Sequence, residues 1–201
     1  MEQRKQKSNQ WLEAQLAVQC APLLAGLKPS NLFIVPDWTT KELEEVLEET
    51  EFSFYCMSVQ KGNVVFLVYR FAELLSYLNE TEVQKLLGEL GYGICGIYDM
   101  LEIVSEKYEA HLIKGSEFPH ELGLLLGYPV VDVRGFMKHE GKNFLYSGYW
   151  KVYGNLSETK QLFYEFSQAK FLVIQLYLNG YSIMDIVEYY QESRKSHLVI
   201  G

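Results

Sequence analysis

The chain has 201 residues, 48% hydrophobic and 14% aromatic, with 18 Lys and Arg against 26 Asp and Glu for a net charge of −8. That length and apolar content suffice for a buried core without metals or disulfides, and they exclude an intrinsically disordered chain. The acidic balance repels polyphosphate, which makes nucleic acid an unfavoured partner, and Cys20, Cys56 and Cys95, widely spaced and without a CxxC, read as reduced cytosolic thiols.

The first ten residues are charged, but Glu13, Gln15, Gln19 and Pro22 interrupt the apolar run that follows, so no secretion signal is expected. No run reaches the roughly 18 apolar residues of a spanning helix. A cytoplasmic protein without a membrane partner is the expectation. Trp11, Leu12, Leu16, Ala17 and Cys20 recur at helical spacing behind Ser8 as N-cap, predicting a helix over residues 9 to about 20 that Pro22 ends. Residues 31–35 form a short apolar strand closed by Pro36, and Thr39 or Thr40 caps an acidic helix with Leu43, Val46 and Leu47 inward.

Two β-rich runs, 52–59 and 63–70, flank the turn residues Gln60, Lys61, Gly62 and Asn63. The second is apolar on both faces, which predicts a central strand. From Phe71 to about Ala110 the pattern is helical, broken at Asn79 and at Gly91–Gly96, whose letters match the dinucleotide fingerprint GxGxxG. That fingerprint requires a strand leading into the glycines. Val83, Leu86, Leu87 and Leu90 lead in at helical spacing instead, so a glycine-rich connection between helices is expected. Beyond the central stretch, Ser157 is the expected cap of a long helix over residues 158–178, ended by Asn179-Gly180, and Ser182 caps a last helix.

Unusual residues concentrate between Phe118 and Gly154. Gly123, Gly127 and Val133 have helix-turn-helix spacing, and Gly127-Tyr-Pro-Val-Val-Asp-Val133 is echoed by Gly180-Tyr-Ser-Ile-Met-Asp-Ile186, giving two similar αα corners. A DNA-reading first corner would expose Arg134, Lys138 and His139, but the equivalent face of the second carries Glu188, Gln191 and Glu192, which disfavours phosphate contact. Pro119 and Glu121 suit a helix start, and His120 there would feel the positive end of the dipole, favouring a neutral imidazole. In the aromatic run 146–153, taken as one strand, Trp150 and Val152 share one face and Tyr149, Lys151 and Tyr153 the other, a surface able to stack a planar ligand.

The expected architecture is a single α+β domain over residues 1–201, with its core at 9–193 and frayed ends. A small, mostly antiparallel sheet of about four strands (31–35, 52–59, 63–70, 146–153) is covered by helices, with helix-turn-helix-like corners in the C-terminal half. The binding candidates are His120, Tyr149, Lys151 and Tyr153. As a thiol enzyme the chain would use Cys20 as nucleophile and His120 as base, with Glu121 or Asp132 orienting it, although a helix C-terminus raises rather than lowers a thiol's pKa. His111, His120 and His139 match no zinc spacing, so no metal site is expected.

FPHELGLLLGYPVVDVRGF, GYWKVYG, the NGYS of the last corner and the upstream CAPLLAGLKPSNLF resemble the uncharacterised bacterial domain-of-unknown-function family numbered 3793, found in anaerobic Firmicutes, from about Gln15 to Tyr189. The resemblance implies a redox or iron-related context, because members neighbour flavodoxin-like and ferrous-iron transport genes. It also implies cysteines at the positions of Ser147 and Ala169, which this chain lacks. It assigns no reaction and no cofactor. With no catalytic pair evident, the preferred expectation is a non-enzymatic binding or regulatory protein holding a small cofactor or a partner such as a flavodoxin-like protein.

Overall fold

The structure, a computed structural model, describes residues 2–48, 50–93 and 96–199, so Cys95 lies outside the described residues. Helix α1 (Glu2–Gln19) breaks at Cys20 and is followed by the single turn α2 (Ala21–Leu24). Pro22 lies in the first turn of α2, where its missing N–H has no intrahelical partner to lose. Strand β1 (Ser30–Pro36), a 3-10 turn (Asp37–Thr39) and α3 (Thr40–Glu48) lead to β2 (Ser53–Gln60) and β3 (Asn63–Tyr69). Lys61 and Gly62 join the last two with φ of 50° and 78°, the positive pair of a type I′ turn whose twist matches its strands.

The sheet is antiparallel in the order β1-β3-β2. Its central strand is the one the two-faced apolar run predicted. Val64, Phe66 and Val68 point into one core, with Leu12, Leu16, Phe33, Leu43, Val173 and Ile186, and Val65, Leu67 and Tyr69 point into the other. The free edge of β1 is closed by Gln19, whose side-chain amide donates to Ile34 O (3.1 Å) and accepts from Ile34 N (3.1 Å), so a foreign strand finds that position taken.

On the second face lie α4 (Phe71–Leu78), α5 (Thr81–Glu89), α6 (Ile97–Lys114), α7 (Leu122–Leu125) and α8 (Val130–His139). The long α9 (Leu156–Leu178) and α10 (Ile183–Val199) return to the first. Asn155, not Ser157, is the N-cap of α9, in a left-handed conformation. At α10 the expected cap is present, with Ser182 N donating to Asp185 Oδ2 (2.8 Å) and Asp185 N to Ser182 Oγ (3.2 Å).

Gly91, the first glycine of the GxGxxG letters, closes α5: Gly91 N donates to Gly88 O (3.1 Å) and Tyr92 N to Leu87 O (2.9 Å). The same pair of bonds forms at Gly127-Tyr128 and at Gly180-Tyr181, so all three Gly-Tyr steps are Schellman helix ends. Each glycine has positive φ (86°, 69° and 91°). A helix therefore enters the glycine letters where the nucleotide fingerprint needs a strand.

Residues 146–153 are not one strand. They fold back as β4 (Tyr146–Ser147) and β5 (Lys151–Val152), paired to each other in a separate two-stranded sheet. The reversal falls where Gly148 lies against the Phe163 ring so closely that a Cβ would overlap it. The two-faced burial survives the fold-back, with Trp150 and Val152 buried and Tyr149 43% exposed. Among the described residues no helix is long and apolar enough to cross a membrane.

Candidate functional site

The α7–α8 corner is built by close approach. A Cβ on Gly127, whose φ is +69°, would lie 2.6 Å from Pro29 Cγ, so this glycine is required, and one on Gly123 would lie 3.1 Å from Val133 Cγ2, a tight contact. Ser30 Oγ donates to Leu125 O and the Tyr77 hydroxyl to Tyr128 O, fastening the corner to β1 and α4. Asp132, in the first turn of α8, is 2% exposed. Its Oδ2 accepts from Trp150 Nε1 (2.7 Å), and its Oδ1 from the backbone N–H of Tyr153 (2.7 Å) and Gly154 (3.1 Å). One carboxylate thus ties the β4–β5 hairpin to the corner. Trp150 then stacks on Tyr128 (centroids 4.7 Å apart) and meets Phe163 edge-on (4.5 Å).

Between corner, hairpin and α6 lies a cleft of about 420 Å³. Leu32, Leu122, Leu126 and Val133 contribute its aliphatic surface, and Tyr108, Phe118, Tyr128, Phe136, Tyr149 and Trp150 its aromatic surface. Lys151 lines it as well. The Lys151 ammonium donates to Gly141 O (2.7 Å) and stands 5.6 Å and 5.1 Å from the ring centroids of Phe136 and Phe144. His120 lies between Phe118 (5.8 Å) and Phe136 (5.5 Å), and with Phe118 it also borders a second cleft of about 440 Å³ beside Lys107 and Met137.

The structure brings His120, Tyr149 and Lys151 to one cleft. Tyr153, from the same sequence-derived set, is elsewhere: its ring stacks parallel on His139 (5.7 Å, 7°) and covers Gly135. The physical reason is the fold-back at Gly148, which leaves Tyr149 and Tyr153 no common flat face. Cys20 is not brought to His120. Its side chain is wholly buried on the β1 face that holds Phe33 and Val35, whereas the cleft lies beyond the face that holds Leu32. Burial pushes the Cys20 thiol up to about 12, with Lys28 and Asn31 opposing the shift only in part. The helix that His120 precedes is a single turn, so the dipole invoked for it from sequence is small.

Glu121 turns away from His120 into the protein, accepting from the Tyr92 hydroxyl (2.6 Å) and from Lys107 Nζ (2.6 Å). Burial pushes its carboxyl up, but the bonds from Lys107 and Tyr92 outweigh that, and it ends below the usual glutamate value of 4.5. A carboxyl lowered by folding stabilises the native state above its unfolded pKa and stops doing so as pH falls through the folded one. Lys107 is half exposed, so solvent screening trims the gain. Glu121→Gln is expected to lower stability by about 1 kcal/mol at neutral pH. In urea denaturation the gap to the parent should close as pH drops below 4.5.

The basic face imagined for a DNA-reading helix is largely engaged within the protein. Arg134 pairs with both carboxylate oxygens of Glu89, and His139 stacks on Tyr153, leaving Lys138 exposed. Of the histidines, His111 and His120 both pack on the Phe118 ring (5.3 Å and 5.8 Å), and His111 Nδ1 contacts Ser116 O (2.6 Å). Among the described residues there is no group of three His, Cys, Asp or Glu placed to hold a metal.

The family model described as "Protein of unknown function (DUF3793)" matches residues 16–187. The chain belongs to this family. The DUF3793 match spans the last turn of α1 to the start of α10 and so includes all the residues that line the cleft. Of the two positions where the resemblance implied cysteines in other DUF3793 members, Ser147 lines the cleft and Ala169 is buried on α9. Comparison with curated proteins and with solved structures gives no match.

Sequence reasoning missed the part played by Asp132, and local signal could not have supplied it. Asp132 and Asp185 hold matching places in the two Gly-Tyr corners, yet Asp185 caps its own helix and Asp132 reaches across to another segment.

Proposed function

We propose that the chain is a single-domain, cytoplasmic, non-enzymatic binding protein whose ligand is a small flat molecule held in the aromatic cleft. The observation that carries this reading is the convergence of six aromatic side chains, from α6, the following loop, the corner, α8 and the hairpin, on one cavity of about 420 Å³. That size and apolar lining suit a ligand of drug-like dimensions. The redox or iron-related setting implied by the family resemblance would make a cofactor-like ligand apt.

The reading of a thiol enzyme draws little from the geometry, because Cys20 is buried with a raised thiol and the Glu121 and Asp132 carboxylates are bonded elsewhere. A protein partner, such as a flavodoxin-like one, is the second reading. It is favoured by Tyr164, Phe171 and Leu178, which stand exposed at every seventh position along α9 and so on one side of it.

The uncharged fluorophore N-phenyl-1-naphthylamine tests the first reading. It should bind the folded protein saturably, and Tyr149→Ala and Phe136→Ala should each weaken it about tenfold, the loss of one ring contact with its buried area. No binding, or binding that neither change alters, would overturn the proposal.

A further inference from the structure

We infer that the ligand of the aromatic cleft carries an anionic group beside its ring, received by Lys151; the inference rests on the cleft being the binding site. Three observations carry it. An ammonium has three N–H donors, and Lys151 spends one on Gly141 O, leaving two. The head is held in place by the Phe136 and Phe144 faces, so little ordering remains for a ligand to impose. Finally, no carboxylate of the described residues stands within ion-pair distance of it, whereas Arg70, Lys107, Arg134 and Lys142 all have one.

The acidic group in the cleft lining is Asp132, and its two oxygens already accept from Trp150, Tyr153 and Gly154. It therefore offers a cationic ligand little, and the ring faces that would cage such a cation are already occupied by Lys151 itself. Ser147 and His120 border the same space and add donor capacity for an anion. In a chain of net charge −8, a half-buried lysine with no carboxylate of the described residues at ion-pair distance marks a side of the cleft where the local field favours negative charge. The ligand class is a planar aromatic acid, its anion a carboxylate, sulfonate or phosphate.

Two probes that share a ring system separate the claims. 1-Anilinonaphthalene-8-sulfonate has the anilinonaphthalene rings of N-phenyl-1-naphthylamine with an added sulfonate. The sulfonate form should bind the parent protein about tenfold tighter, as expected for a charge-assisted hydrogen bond. Lys151→Met keeps the apolar stem and removes the charge. It should abolish that advantage by weakening the sulfonate probe far more than the uncharged one, and Lys151→Arg should restore most of it.

Equal binding of the two probes by the parent, or an equal loss of both in Lys151→Met, would overturn the anion inference and leave the aromatic cleft standing. Failure of both probes to respond to either Tyr149→Ala or Phe136→Ala would remove the cleft reading itself. Matched melting temperatures of parent and variants guard against probe uptake by a loosened core.

Discussion

Asp132→Ala should destabilise the protein by about 3 kcal/mol, because it leaves the Trp150 indole N–H and two backbone N–H groups without their acceptor, each worth roughly 1 kcal/mol or more when buried. Urea denaturation should show a lower midpoint with an unchanged slope. N-phenyl-1-naphthylamine binding should fall as well, since the hairpin that supplies Tyr149, Trp150 and Lys151 loses its tie to α8.

Asp132→Asn refines the test. The amide retains one oxygen for the two backbone donors but turns an N–H₂ toward the indole N–H, so donor faces donor. Its effect should therefore shrink when Trp150→Phe is already present, a coupling that a double-mutant cycle reads directly. A loss under about 0.5 kcal/mol for Asp132→Ala would mean that solvent replaces the carboxylate and that the hairpin is held by ring packing alone.

Gly135→Ala is expected to destabilise the protein by up to about 2 kcal/mol. Gly135 sits in the middle of α8, where helix propensity by itself favours Ala by about 1 kcal/mol. Here the sign reverses. A Cβ at this position would overlap Cβ and Cγ of Tyr153, and Cβ is fixed to the backbone of the segment whose N–H is bonded to Asp132. Relief requires the hairpin exit to move off α8, and overpacking of that kind costs about 1–3 kcal/mol, set against the propensity gain of about 1 kcal/mol. Thermal or urea denaturation should show the loss. A neutral or stabilising result would show that α8 and the hairpin separate easily in solution.

These two positions also mark what could and could not be read from residues alone. Element type was legible because periodicity is local. Alternating and two-faced apolar runs gave β1, β2 and β3, and Lys61-Gly62 gave their turn. Helical period gave α9, though of its expected core positions Leu162, Phe163, Phe166, Phe171, Ile174 and Tyr177, Phe163 and Phe166 are buried and Phe171 stands 64% exposed. The helical residues before Gly91 gave a helix end rather than a phosphate loop, which the Schellman bonds bear out. Three of the four residues picked for a binding surface, His120, Tyr149 and Lys151, do share a cleft. The strand pattern behind that choice was only half right: the burial alternation holds, but Gly148 turns the chain back and Tyr153 goes to His139.

The sequence by itself determined the α+β class, the succession of strands and helices along the chain as far as β3, the central place of β3 and the two matched Gly-Tyr corners, because propensity, turn chemistry and hydrophobic period act over a few residues. Only the tertiary structure decided that Cys20 and His120 lie on opposite sides of the sheet and that Glu121 answers to Tyr92 and Lys107 rather than to its neighbour. It likewise decided that Asp132, unlike its twin Asp185, fastens a hairpin 18 to 22 residues away. A carboxylate's partner is set by which donors the packed chain brings within about 3 Å, and no spacing in a linear sequence encodes that distance.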